Sequence, residues 1–243
     1  MGKKTLVIPD IHHQYQTAEE IISRERPDLT VFLGDYFDDF GDGPEMAERT
    51  AGWLARSLEY DGEEGGRIHL LGNHDLHYMT GNADYRCSGY SDAKRRVIDS
   101  YGIDWAKLRL YYWIGAAGTG WLCTHAGFSN KLYVQQRRTE SETVQDVLCR
   151  AAEDLAGASD VSVPHPFLEA GRSRGGPNSV GGLIWCDYGE FVDIPHTRQI
   201  FGHTRDSAVR RKISPDSAHY CIDTVLRNYA VCESQDAVRI KTN

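Results

Sequence analysis

Val31-Phe-Leu-Gly-Asp-Tyr-Phe-Asp-Asp-Phe-Gly-Asp-Gly43 runs from a short β-prone apolar tripeptide into a loop that carries Asp35, Asp38, Asp39 and Asp42. Like charges this close repel one another, so they are answered either by water or by cations. The same grammar recurs along the chain. Leu6-Val-Ile8 precedes Pro-Asp-Ile-His, Ile68-His-Leu-Leu71 precedes Gly-Asn-His-Asp, Trp121-Leu-Cys-Thr124 precedes His-Ala-Gly, and Gln199-Ile-Phe201 precedes Gly-His-Thr. Each is a strand signal that ends abruptly in a polar cluster. Ligands of open α/β sheets gather outside the carboxyl ends of strands, so the recurrence is expected to bring distant residues to one edge.

Helical signals lie between these strands. Thr17-Ala-Glu-Glu20 and Thr139-Glu-Ser-Glu142 both fit a capping box, and the second opens a stripe of Val144, Val147, Leu148, Ala151 and Leu155 at helical spacing. A further helix is predicted from Pro44, with Asp42 as its cap or as a turn residue. Residues 76–90 and 158–182 read as long loops. Three strands near His219–Ile222, Tyr229–Cys232 and Ala237–Ile240 read as an antiparallel meander.

The chain has 243 residues, 40% of them hydrophobic and 26% charged, with no low-complexity linker, which predicts one α/β domain over 1–243. Its net charge of -8, from 27 basic against 35 acidic residues, disfavours duplex nucleic acid as a standing partner. Bound divalent cations would reverse that field locally, so a phosphorylated substrate stays open. The first apolar run is too short for a signal peptide and no later one approaches a transmembrane length, so a cytoplasmic location without a membrane partner is expected. The six cysteines (87, 123, 149, 186, 221, 232) form no C-x-x-C pair, and Cys123 and Cys221 read as buried thiols inside strands.

Taken singly, Asp10-Ile-His12, Asn73-His-Asp75, His125 and His203 are ordinary turn or polar residues. On an extended backbone Asp10 and His12 would point to one side. Carboxylate, imidazole and amide-oxygen donors suit a hard to borderline divalent ion, and the absence of cysteine from the clusters argues against a thiolate zinc site.

In order the chain reads D-x-H, G-D-x-x-D, G-N-H-D, H-A-G and G-H-T. This series resembles the calcineurin-like metallophosphoesterase superfamily over nearly the whole chain. Thr124-His-Ala-Gly127, Gly182-Leu-Ile-Trp185, Gly202-His-Thr204 and Cys221-Ile-Asp-Thr224 are similar to the bacterial and phage branch of the phosphoprotein phosphatases, which includes the lambda-phage type phosphatases and the symmetrical diadenosine tetraphosphate hydrolases. The resemblance implies a β-sandwich flanked by helices (αββα). It implies one metal held by Asp10, His12 and Asp35 and a second by Asp35, Asn73, His125 and His203, with Mn²⁺ foremost and Fe, Zn or Ni as alternatives. It also implies that a hydroxide shared by the two ions attacks phosphorus, that His74 is the general acid, and that Asp75 orients it with support from Asp38.

Three positions depart from the pattern. Asp39-Phe40 stands where the phosphatases carry Arg-Gly, whose arginine clamps phosphate, so the clamp is expected from Arg172, Arg174, Arg205 or Arg86. Arg205 replaces the second histidine of a G-H-x-H ending, which favours the phosphatase branch over nucleases. Val225 replaces the glycine that commonly follows Ile-Asp-Thr. The expected activity is hydrolysis of phosphomonoesters, on a phosphoprotein or a small phosphorylated molecule. The alternative is cleavage of a phosphodiester or a dinucleoside polyphosphate. A non-catalytic scaffold is disfavoured because all six ligand positions are filled. His13 and His69 read as structural, and His77 as a solvated loop histidine, with reach to the substrate as the alternative.

Overall fold

The structure, a computed structural model, describes residues 3–60, 65–85, 87–157, 164–234 and 237–243. Strands β1 (Thr5–Ile8), β2 (Leu29–Phe32) and β3 (Gly66–His69) pair in parallel. Every residue of β1 and β2 is buried, without the polar alternation of a half-exposed strand. Both faces are covered, as parallel strands require. Leu6, Ile8 and Phe32 pack with Ile21 of helix α1 (Tyr15–Glu25) and with Trp53 and Leu54 of α2 (Pro44–Ser57). Val7 and Val31 turn the other way and meet a second sheet.

That sheet contains β4 (Tyr111–Ile114), β5 (Trp121–Thr124), β6 (Arg198–Phe201), β7 (Arg210–Ile213) and β8 (Ala218–Cys221), in the order β4-β5-β6-β8-β7. Cys123 and Ile200 face the first sheet, whereas Leu122 and Phe201 face Leu132 of a short helix, α5 (Asn130–Gln136), and Leu148 of α6 (Val144–Gly157). The layers are therefore helix, sheet, sheet, helix. The first sheet, in the order β10-β9-β1-β2-β3, is completed by the hairpin of β9 (Asn228–Ser234) and β10 (Ala237–Thr242). Two further helices, α3 (Asn73–Thr80) and α4 (Asp92–Asp99), follow β3. All six cysteines are free, with Cys123 and Cys221 buried. Among the described residues no helix is long and apolar enough to cross a membrane.

Several local expectations are corrected. The three closing strands are not one meander, because β8 belongs to the second sheet, where its antiparallel partner is β7. Strand β7, Arg-Arg-Lys-Ile, is an edge strand whose basic residues hide it from hydrophobic patterning. Between β8 and β9 the chain crosses to the first sheet through Val225 and Leu226, both at positive φ (60° and 55°). Val225 thus adopts the backbone that glycine would take more cheaply.

Thr17 lies inside α1, whose N-cap is Gln14 without a side-chain bond. At α6 the reciprocal pair is Thr143 and Asp146, where each backbone N–H donates to the other's side chain (2.9 and 3.2 Å). The Thr-x-x-acid pattern occurs twice in succession, and the copy adjoining the apolar stripe forms the box. Asp42 is no cap, since Gly43 occupies that position before Pro44. Residues 76–80 complete α3 rather than a loop, which buries His77 and stacks it on Tyr90 at 3.8 Å.

Glu25, at the end of α1, fastens the hairpin edge of the first sheet. It accepts from Tyr229 (2.7 Å), Lys241 (2.8 Å) and Lys4 (3.0 Å). Burial raises its pKa, but the Lys241, Tyr229 and Lys4 hydrogen bonds outweigh that effect and bring it down to about 2. A depressed carboxylate stabilises the fold fully above its ordinary value near 4.5 and loses that contribution as pH falls toward about 2. Glu25→Gln is expected to lower Tm at neutral pH by several degrees, at roughly 2–4 °C per kcal/mol for this chain size, and to flatten the acid limb of stability. Superimposable melting curves at pH 7 and pH 3 would remove Glu25 from this role.

Candidate metal centre

Five strands deliver the candidate ligands from their carboxyl ends: β1 to Asp10 and His12, β2 to Asp35, β3 to Asn73, β5 to His125 and β6 to His203. The loops after β1 and β2 are zipped together by His12 N–H to the Asp35 carbonyl (2.8 Å) and His13 N–H to the Tyr36 carbonyl (3.0 Å). His12, Asp35, Asp38 and His203 all have positive φ (37°, 51°, 66° and 67°), so the chain turns sharply as each strand ends. Asp10 and His12 therefore converge through a turn rather than along an extended strand. Two glycines leave the space. A Cβ on Gly72 would stand 2.2 Å from Asp35 Oδ1, and one on Gly202 would stand 1.9 Å from Asp10 Oδ1.

Two triads, Asp10–His12–Asp35 and Asp35–His125–His203, each bring one potential ligand atom per residue within 4.8 Å of the others. Asp35 belongs to both. Its Oδ2 lies 3.7 Å from His12 Nε2 and 3.4 Å from His125 Nε2. His125 Nε2 in turn lies 3.0 Å from Asn73 Oδ1 and 3.2 Å from His203 Nδ1. The far nitrogens of two rings are anchored on carbonyls, His12 Nδ1 at Asp38 (2.5 Å) and His125 Nδ1 at Leu33 (2.8 Å). Such anchoring aims the other nitrogen and fixes its tautomer, as at metal-binding histidines. The Nε2 of His203 is buried with no hydrogen-bond partner among the described residues.

The charges also suit cations. Burial raises the Asp35 pKa, but the His125, His74 and His12 imidazoles outweigh it and hold the carboxyl well below its usual range. Asp10 is pushed the opposite way, first by burial and then by Asp223 and Asp35. Burial also pulls His125 and His203 toward neutrality, the form that binds metal. A crowded, buried set of carboxylates and neutral imidazoles fits divalent ions better than it fits an empty pocket.

His74 stands beside this set and lines the cleft. Its Nδ1 lies 3.0 Å from Asp38 Oδ2, leaving Nε2 for another partner. Burial lowers the imidazole pKa, but Asp35 and Asp38 outweigh it and raise the value above that of an ordinary histidine. Asp75 does not orient His74, which corrects the expectation. Its oxygens accept from the backbone N–H groups of Asp35 (2.9 Å), Tyr36 (2.9 Å) and Gly72 (3.0 Å), stapling the β2 loop to the start of α3. At the first turn of a helix the carboxylate reaches back to free backbone donors rather than sideways to its neighbour. Burial, then Asp35, pushes its pKa up to about 7.

The cleft has a volume of about 360 Å³ and includes Asp39, Phe40, Arg174, Trp185, Arg205 and Asp223 in its lining. Arg205 Nη1 stands 3.9 Å from Asp39 Oδ1, and Arg174 is tied to Asp187 at 2.9 Å. Arg172 is exposed in a 3₁₀ turn (Arg172–Arg174) and does not line the cleft, which removes it from the expected clamp. Arg86 lies outside the described residues. His13 is structural, bonded to Thr50 and Asp42 at 2.8 Å each, and His69 stacks on Phe32.

Sequence reasoning assigned no role to Asp223, Tyr78 or Lys94. Asp223 lay inside the Cys221-Ile-Asp-Thr224 motif and could have been singled out there. Lys94, in Asp92-Ala-Lys-Arg-Arg96, carries no signal, because such a run reads as the solvated face of a helix.

The pattern of calcineurin-like phosphoesterases matches residues 3–205. The cold-active protein-tyrosine phosphatase of a psychrophilic Shewanella species shares the fold at 15% identity and a TM-score of 0.60, covering 99% of this chain and 80% of that one. A protein serine/threonine phosphatase from Saccharomyces cerevisiae, with similarity to human phosphatase PP5, does so at 12% identity and a TM-score of 0.53, covering 99% and 79%. No curated protein matches the chain in sequence.

Because Asp35 is common to both triads, Asp35→Asn is expected to lower the content of both ions, whereas His12→Asn should cost mainly one. Elemental analysis after equilibration with Mn²⁺ distinguishes the two. Equal, single-ion losses in both variants would refute the shared role.

Proposed function

The chain belongs to the calcineurin-like phosphoesterase family, and from that premise we propose that it hydrolyses phosphomonoesters at a two-metal site built on Asp10, His12, Asp35, Asn73, His125 and His203. The observation that carries this reading is the placement of one Asp35 oxygen between an imidazole from each triad. We take Mn²⁺ as the ion, since oxygen and imidazole donors without thiolate suit it. Two such ions, when bound, would lower the pKa of a shared water and neutralise phosphate charge.

The chain's own groups divide the remaining work. Asp38 holds His74 Nδ1, so the Nε2 proton is available to the oxygen that leaves with the alcohol. Arg174 and Arg205 line the same cleft and offer two guanidinium groups to the outer phosphate oxygens, a pairing suited to a dianion. The substrate is then a phosphoprotein or a small phosphorylated molecule. One domain over residues 1–243 does this, which is supported by β1 lying between β2 and the closing strand β9. The six free cysteines support a reducing, cytoplasmic setting.

A second reading, cleavage of a diester or a dinucleoside polyphosphate, is favoured by one observation. Asp39 sits 3.9 Å from Arg205 and offsets part of its charge, which suits a phosphate bearing one negative charge. Matched p-nitrophenyl phosphate and bis(p-nitrophenyl) phosphate in Mn²⁺ decide between them. The monoester should have the higher kcat/KM, and Arg174→Ala or Arg205→Ala should raise its KM about 10-fold or more, the scale of one lost charged hydrogen bond. Faster diester cleavage would make the second reading the correct one.

His74→Asn should leave metal content intact and lower kcat on alkyl phosphates by roughly 10²–10⁴, with a smaller loss on p-nitrophenyl phosphate, whose leaving group needs no proton. Equal losses on the two ester types would remove His74 as the acid.

A further inference from the structure

The His74–Asp38 pair rests on a group that lies outside every strand-end motif. Lys94, in the first turns of α4, is 2% exposed. Its Nζ donates to Asp38 Oδ1 at 2.5 Å and to Asp42 at 2.8 and 3.0 Å. Tyr78 OH donates to the same Asp38 Oδ1 at 2.7 Å. Asp42 Oδ2, one of the two oxygens that Lys94 bonds, also meets His13 Nε2 (2.8 Å), whose Nδ1 meets Thr50 Oγ1 (2.8 Å). With Oδ1 occupied by two donors, Asp38 has only Oδ2 to offer His74.

The energetics make this arrangement one-sided. Asp38 and Asp42 are both buried side chains of like charge, at 2% and 7% exposure, so each destabilises the other without a cation between them. Lys94 is the cation that bonds both. A carboxylate held at one oxygen by Lys94 and Tyr78 cannot rotate to exchange its oxygens, and this fixes the ring that it holds.

We propose that Lys94 is a positioning residue, which acts through Asp38 to hold the His74 imidazole with Nε2 facing the scissile ester. Lys94 does not line the cleft, and its Nζ bonds Asp38 and Asp42 rather than any of the six candidate metal ligands. The inference rests on the reading of His74 as proton donor. It assigns to α4, a helix without a place in the strand-end pattern, a part in the reaction.

The test is a double-mutant cycle. Lys94→Met keeps an unbranched side chain of similar length and removes the charge. It should lower kcat on an alkyl phosphate by about 10-fold or more, change p-nitrophenyl phosphate by less than about 3-fold, and leave KM and metal content unchanged. A merely structural loss would reduce both substrates in proportion to the folded fraction. Added to His74→Asn, Lys94→Met should cost nothing further, because the group it positions is already gone. In the metal-free protein the His74 Nδ1 proton should give a protected downfield NMR signal that broadens in Lys94→Met.

Additive losses in the cycle, or equal losses on both esters, would overturn the proposal. If Lys94→Met does not fold, Asp42→Asn/Lys94→Met removes the second buried carboxylate with the cation and is read in the same way against Asp42→Asn. A wild type that hydrolyses neither ester with metal bound would overturn the phosphoesterase reading itself, and Lys94's role would fall with it.

Discussion

The structure is organised around the placement of the Asp35 carboxylate between two sheets. One oxygen faces imidazoles from β1 and β5, and the other accepts the backbone N–H of His74 at 2.9 Å. Its own backbone N–H is held by Asp75. This side chain thereby sets the spacing between the sheets at their carboxyl edge, the start of α3 and the turn after β2. The absence of a Cβ at Gly72 follows from the same demand for room. An ionised carboxylate is stable at so buried a position only when cations or hydrogen-bond donors replace its lost hydration.

The neighbouring aspartates show four separate solutions to one electrostatic problem. Asp35 lies among imidazoles, Asp38 accepts from His74, Lys94 and Tyr78, Asp39 faces Arg205 across the cleft, and Asp42 is held by His13 and Lys94. Only Asp39 is left substantially in water, at 32% side-chain exposure. The loop is therefore a distribution of charge in depth, from the buried centre to the rim of the cleft. Arg174 and Asp187 repeat the rim arrangement on the Trp185 side.

Much of this was legible because ligands and strand ends coincide in sequence. A run of apolar residues that stops at Asp, His or Asn announces both an element and its edge, so the strand ends and the convergence of polar residues could be read from residues 6–12, 31–38, 68–75, 121–127 and 199–204. The layered fold and the six candidate ligands came from the family resemblance those motifs carry. Contacts between elements were not legible. Lys94 is separated by 56 residues from the carboxylate it serves, and its own surroundings are charged. Asp75 misled because the motif placed it as the partner of His74, whereas the first turn of a helix offers its carboxylate backbone donors. Strand β7 was missed for a third reason, since an edge strand need not be apolar.

The left-handed residues around the centre affect how substitutions there are to be interpreted. At His12, Asp35, Asp38 and His203 the side chain supplies chemistry while the backbone occupies a region that alanine enters at a cost of roughly 1–2 kcal/mol. Asparagine, aspartate and histidine tolerate that region better. An alanine scan would therefore add a conformational penalty to the loss of the side chain's polar atoms and report the sum as one number. Exchanges within the Asp–Asn–His group change the donor atom with much less change in backbone preference. At these four positions the choice of replacement thus decides whether an experiment measures side-chain chemistry or chain geometry.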